Sequence, residues 1–143
     1  MHRRECAAIA ALLIAGVVAP VGCGEGVTSA GFGLRFTDAA VLSRTSSIAI
    51  LFYMDEESAE QCTALRTARP RLPADYGPFR QVLDESARRD GTVLPLRIPV
   101  GSWAVLVDAT GGDGMLVGTG CAQDQVVADR QRSSITLIVD GVP

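Results

Sequence analysis

The sequence predicts an all-β domain, an antiparallel β-sandwich of about seven strands, behind an N-terminal export segment. Three observations predict this. Apolar residues alternate with polar or small ones in several short runs. These runs recur at roughly ten-residue intervals. Glycine- and proline-containing turns separate them, and no heptad, repeat or low-complexity tract competes with the pattern.

Leu34 and Phe36, alternating with Arg35 and Thr37, predict a short first strand. Ser46 to Asp55 is the clearest strand of the N-terminal half. Ile48, Ile50, Phe52 and Met54 fall on one face, and Ser47, Ala49, Leu51 and Tyr53 on the other. With both faces apolar, it is expected at the centre of a sheet. The acidic Asp55-Glu56-Glu57 follows, and a short helix is expected near Ser58–Arg66, with Ala59, Cys62 and Leu65 on one side. Pro70, Pro73 and Pro78 predict a loop. Phe79 to Ala87 fits a strand or a short helix, with the strand preferred.

Thr92 to Ile98 reads as a strand that Pro95 confines to an edge. After the Pro99-Val100-Gly101 turn, Trp103, Val105, Val107 and Ala109 alternate with Ala104, Leu106 and Asp108. Thr110-Gly111-Gly112-Asp113-Gly114 predicts a hairpin loop. Met115 to Cys121 returns, Val126-Val127 suggests a further short strand, and Ile135, Leu137 and Val139 close the chain.

The N-terminal segment is read from its charge and length. Arg3 and Arg4, partly offset by Glu5, precede the apolar run Ala7–Ala19. That run suits a secretory signal and is too short for a bilayer span, which needs about 20 apolar residues. Residues 1–22 are therefore expected to be a signal peptide, 23–33 a flexible glycine- and serine-containing tether, and 34–143 the domain. The segment Pro20-Val21-Gly22-Cys23 resembles the lipobox of bacterial lipoproteins. Val21 and Gly22 suit that pattern, while Pro20 stands where an aliphatic residue is preferred. The resemblance implies lipidation of Cys23 and anchoring to a membrane. Gly24, rather than an aspartate, after the cysteine then implies an outer-membrane address. Cleavage after Ala30 would instead release a soluble protein. Twin-arginine export through Arg3-Arg4 has a poor context in Glu5-Cys6.

Cysteine usage fits the same compartment. Cys6 lies in the signal and Cys23 is the proposed acyl acceptor, which leaves Cys62 and Cys121. In an oxidising setting a disulfide between them is the default expectation.

A further resemblance rests on Ile98-Pro99-Val100-Gly101-Ser102-Trp103-Ala104-Val105, on Asp113–Cys121 and on Ile135-Thr136-Leu137-Ile138-Val139. These segments are similar to transthyretin-like (prealbumin-like) and carboxypeptidase-regulatory-like sandwiches, in particular to uncharacterised lipoproteins of myxobacteria and their relatives. Members of that group also pair a cysteine after the first long strand with one in the Gly-Cys of the penultimate hairpin. The likeness covers about residues 46–140. It implies a fold and an envelope location, and it transfers no catalytic residue.

Composition excludes several chemistries. The formal charge is −3, every basic residue except His2 is arginine, and the arginines are scattered. A nucleic-acid role is not expected. The one histidine is His2, inside the signal, and the chain has no lysine. Histidine-based triads, histidine-bound metals and lysine nucleophiles are therefore not available to the mature chain. Asp55, Glu56 and Glu57 are neighbours on one loop, where paired-acid hydrolysis needs carboxylates on opposite sides of a cleft. Asp108 and Asp113 flank the glycine loop and are weak calcium candidates without the EF-hand spacing. Trp103 and Tyr53 can stack on sugars if exposed, although strand packing explains both.

The expectation is a non-enzymatic, lipid-anchored envelope protein without a cofactor. Its β-sandwich would serve an envelope protein or polysaccharide as partner. The alternative is a secreted or periplasmic module that binds carbohydrate or another small ligand.

Overall fold

The computed structural model describes residues 27–90, 92–128 and 133–143. Cys23 and the expected signal lie outside them. Seven strands and three short helices follow in the order β1 (Val27–Phe36), α1 (Ala39–Arg44), β2 (Ser47–Met54), α2 (Gln61–Thr67), β3 (Tyr76–Val82), α3 (Glu85–Asp90), β4 (Thr92–Pro99), β5 (Gly101–Thr110), β6 (Leu116–Val127) and β7 (Ser133–Gly141).

Strand pairing runs β3-β2-β5-β6-β7-β1-β4 in one sheet, mostly β and nearly closed like a barrel. All-β is thus correct, but the pairing joins the strands in one sheet where two separate sheets were expected. Nor is it wholly antiparallel. β1 and β7 run parallel, with Phe32 opposite Ile135 and Phe36 opposite Val139. The join between the two halves is narrow, since among the described residues β6 and β7 pair at Gly118–Gly141 and Thr119–Asp140.

The interior follows from side-chain alternation along each strand. Ala30, Phe32 and Leu34 of β1, Ile48, Ile50 and Phe52 of β2, Val105, Val107 and Ala109 of β5, and Ile135, Leu137 and Val139 of β7 all point into one core. Phe52 is its centre. Its ring meets those of Phe32, Phe79 and Trp103 edge-on, at centroid distances of 5.7, 5.8 and 6.0 Å. Each such pair contributes about 1 kcal/mol beyond the area it buries.

β2 lies between β3 and β5 with both faces buried, as its two apolar faces predict. Its second face, Ala49, Leu51 and Tyr53, joins Ala104 and Leu106 of β5 under Leu65 of α2. β4 is an edge strand, as Pro95 requires.

Four local readings change. β1 begins at Val27, so residues 27–33, expected as tether, belong to the sheet. Residues 116–127 form one long strand rather than two, because the irregularity between Cys121 and Val126 is a bulge. Its register shifts opposite Trp103–Val105, and Asp124 there has φ of 54°. Residues 79–87 contain both expected elements, the end of β3 and the start of α3. Finally, α1 was not anticipated. Asp38 caps it by accepting a 2.7 Å bond from the Ala40 N–H, and Val41 is its buried residue.

Val41 explains the glycines of the narrow join. A Cβ on Gly118 would lie 2.9 Å from Cγ1 of both Val139 and Val41, and one on Gly141 would lie 2.9 Å from Val41 Cγ2. At Gly120 a Cβ would collide with the Ile138 carbonyl oxygen. Glycine is needed here so that β6 can approach β7 and α1. We expect Gly120→Ala to destabilise the protein by about 2 kcal/mol or more. Gly33→Ala, where the nearest atom is Thr136 Oγ1 at 3.7 Å, should stay within about 0.5 kcal/mol of wild type. Chemical denaturation followed by circular dichroism measures both.

Candidate functional site

Two regions outside the core concentrate polar chemistry, and they do different work. The first is the layer over β2, β5 and β6. Cys62 near the start of α2 is bonded to Cys121 of β6, with Cα atoms 5.6 Å apart. The cysteine pair expected from the sequence is therefore brought together. Gln123 Oε1 accepts from the Cys62 N–H at 3.2 Å, and the buried Gln61 side chain donates to the Met54 carbonyl at 2.8 Å. The helix start is thus tied to the ends of β2 and β6.

Arg71 ties down the other end. Its Nη1 donates to the carbonyls of Leu65, Arg66 and Ala68 at 2.6, 2.8 and 3.2 Å at the end of α2, where Arg69 Nη1 also serves the last two. Its Nε and Nη2 grip Asp108 of β5 at 2.7 and 2.6 Å. Only guanidinium has the fork for this, and its positive charge suits a helix C-terminus. Both side chains are largely buried, 17% and 14% exposed.

Both calcium candidates have structural partners. Both Asp108 oxygens are occupied by Arg71, while Asp113 Oδ1 accepts from the Met115 N–H at 3.0 Å inside the hairpin loop. The two carboxylates serve separate structural jobs. Sequence reasoning passed over Arg71, which sits in a proline loop 37 residues from its partner with no local signal of its role.

Tyr53 and Trp103 do not form an exposed pair. They are 6% and 7% exposed and lie on opposite sheet faces. Tyr53 donates to the Leu72 carbonyl at 3.0 Å, and Trp103 Nε1 to the Pro99 carbonyl at 3.1 Å. Burial pushes the Tyr53 hydroxyl above its ordinary pKa; the Arg71 charge opposes this, and Asp108 and Asp75 add to it.

The second region is the end of the barrel where β2 stops and β5 starts. A groove of about 480 Å³ opens there between Met54, Asp75, Tyr76, Val100, Ser102 and Trp103. Asp75 is fixed at its rim. Its N–H donates to the Phe52 carbonyl at 2.9 Å, and its Oδ2 accepts from the Met54 N–H at 2.8 Å. Ser102 donates to Asp55 at 3.1 Å, so the acidic turn Asp55-Glu56-Glu57 borders this groove.

Asp55 in turn hydrogen-bonds Asp124, whose position at the β6 bulge brings it there. Asp55 titrates below the ordinary aspartate range. The Glu57 N–H on its carboxylate is the main cause, assisted by bonds from Asp124 and Ser102 and opposed by partial desolvation. Asp124 titrates above that range because its carboxyl shares a hydrogen bond with Asp55 and feels that negative charge.

A further cavity, about 610 Å³, lies between α2 and the end of the chain beside Thr63, Arg66 and Leu116. Arg66 there is paired with Asp140 at 3.0 Å, an exposed contact of small energetic weight.

The polar ties of α2 can be measured. Asp108→Ala leaves the largely buried Arg71 guanidinium without its carboxylate partner, and we expect a loss of about 2–3 kcal/mol. Adding Arg71→Met to that variant should recover part of the loss in a double-mutant cycle. Reducing Cys62–Cys121 should lower unfolding stability by about 4 kcal/mol, since the bond closes a loop across 59 positions. Urea titrations with and without dithiothreitol give this difference.

No family model and no curated protein matches the chain. Among solved structures, a DUF4876 family protein from Bacteroides thetaiotaomicron aligns at 13% identity with a TM-score of 0.39. The alignment covers 80% of this chain and 23% of that one, so the chain spans less than a quarter of its length.

Proposed function

We propose that this chain is an exported lipoprotein, anchored to the cell envelope through Cys23, whose β-domain is a non-enzymatic interaction module. The Cys62–Cys121 disulfide carries this reading. Such bonds belong to oxidising compartments, and this one accounts for both cysteines of the folded part, leaving Cys23 free for acylation. The signal-like charge and apolar run ahead of Cys23 support the same address. The Gly24 that follows Cys23 favours the outer membrane, where an envelope protein or polysaccharide is the natural partner.

A second reading, a small-ligand-binding module, is favoured by the groove beside Asp75 and Tyr76. The stacking version of that reading, with Trp103 and Tyr53 under a sugar, loses its support because both rings are buried.

The anchor is tested in cells. Wild-type protein should incorporate labelled palmitate and fractionate with membranes. Cys23→Ala should lose the label and appear in the soluble fraction, and unchanged membrane fractionation of that variant would overturn the proposal.

A further inference from the structure

The groove at the acidic end of the barrel differs from the rest of the surface in three ways. Its walls are apolar and aromatic, from Met54, Val100, Tyr76 and the edge of Trp103. Met54 is 64% exposed there, and Val100 43%, although both are large apolar side chains. At its rim, Asp75 spends one carboxylate oxygen on the Met54 N–H, and no described residue bonds the other. The Tyr76 hydroxyl likewise has no hydrogen-bond partner among the described residues; its ring packs against Phe79 at 5.5 Å.

Among the described residues of this end, the segments 54–60, 73–78, 99–102 and 122–127 carry Asp55, Glu56, Glu57, Glu60, Asp75 and Asp124 and no arginine. Nothing cationic in these loops neutralises Asp75.

We propose that this groove binds a small organic cation, an alkylammonium ion whose charge sits against Asp75 and the Tyr76 ring. Its alkyl groups pack on Met54, Val100 and Trp103. The volume suits a small molecule, since ligand pockets span about 300–1,000 Å³. An aromatic face beside a carboxylate is the usual chemistry for such cations. A hydrated metal ion needs several oxygen ligands, and apolar walls do not supply them. A guanidinium prefers both carboxylate oxygens, and one is already taken. A neutral sugar would stack on a broad tryptophan face, but Trp103 is buried and its Nε1 is bonded to Pro99.

This site does not depend on the anchor, so the two proposals fail separately. Trp103 is the only tryptophan in the chain, which makes its emission a local reporter. Purified full-length protein is titrated with choline and, separately, with 3,3-dimethyl-1-butanol, its uncharged isostere. Choline should change Trp103 emission saturably, and the alcohol should need at least about tenfold more. Asp75→Asn should raise the choline midpoint up to about tenfold, the worth of one charge contact at an exposed site. Val100→Arg, at an exposed position that does not threaten folding, should abolish the response. Equal midpoints for choline and the alcohol, no saturable change, or unaltered choline binding by Val100→Arg would each overturn the proposal.

Discussion

A strand pair that is apolar on both faces has to be covered on both faces, and β2 with β5 is such a pair. The barrel interior covers one side through Phe52, Val105 and Val107. The other side, Leu51, Tyr53, Ala104 and Leu106, requires a second layer, and α2 with the following loop provides it. Burying these side chains is worth about 1.5–3 kcal/mol for each large one. A helix of seven residues does not persist alone in water, so that gain depends on how it is held.

The holding is covalent at one end and ionic at the other. Cys62–Cys121 fixes the start of α2 to β6, and Arg71 fixes its end to Asp108 on β5 while satisfying three carbonyls. The two ion pairs of this region differ in consequence. Arg66–Asp140 is exposed and screened by water, whereas Arg71–Asp108 is largely buried and couples helix, loop and strand. The same layer carries the protein's two polar outposts apart: Gln61 reaches Met54, so the helix start also steadies the strand end that borders the groove.

The join between the two halves of the sheet imposes a separate constraint at the opposite end. β6 must meet β7 closely enough to join the two halves, and Gly118 and Gly120 remove the side chains that would prevent it. Val41 then fills the space from α1. At the acidic end the Asp55 carboxylate bonds both Ser102 and Asp124 beside an open groove.

The local alternation of Ile48, Ile50 and Phe52, and of Trp103, Val105 and Val107, was sufficient to place β2 and β5, because strand periodicity is written in nearest neighbours. The edge position of β4 was legible from Pro95, and the short helix at α2 from the spacing of Cys62 and Leu65. The Cys62–Cys121 pair followed from counting. What the sequence could not convey depends on distance along the chain. The parallel pairing of β1 with β7 joins segments about a hundred residues apart, and period-two alternation carries no strand direction. Arg71 and Asp108 are 37 positions apart and only the fold aligns their forks. The groove exists because three separate chain segments converge on one end of the barrel, and no single segment contains it. Short-range chemistry determined the strands; their order, the clamp on α2 and the groove were decided by long-range packing, which no local window of sequence records.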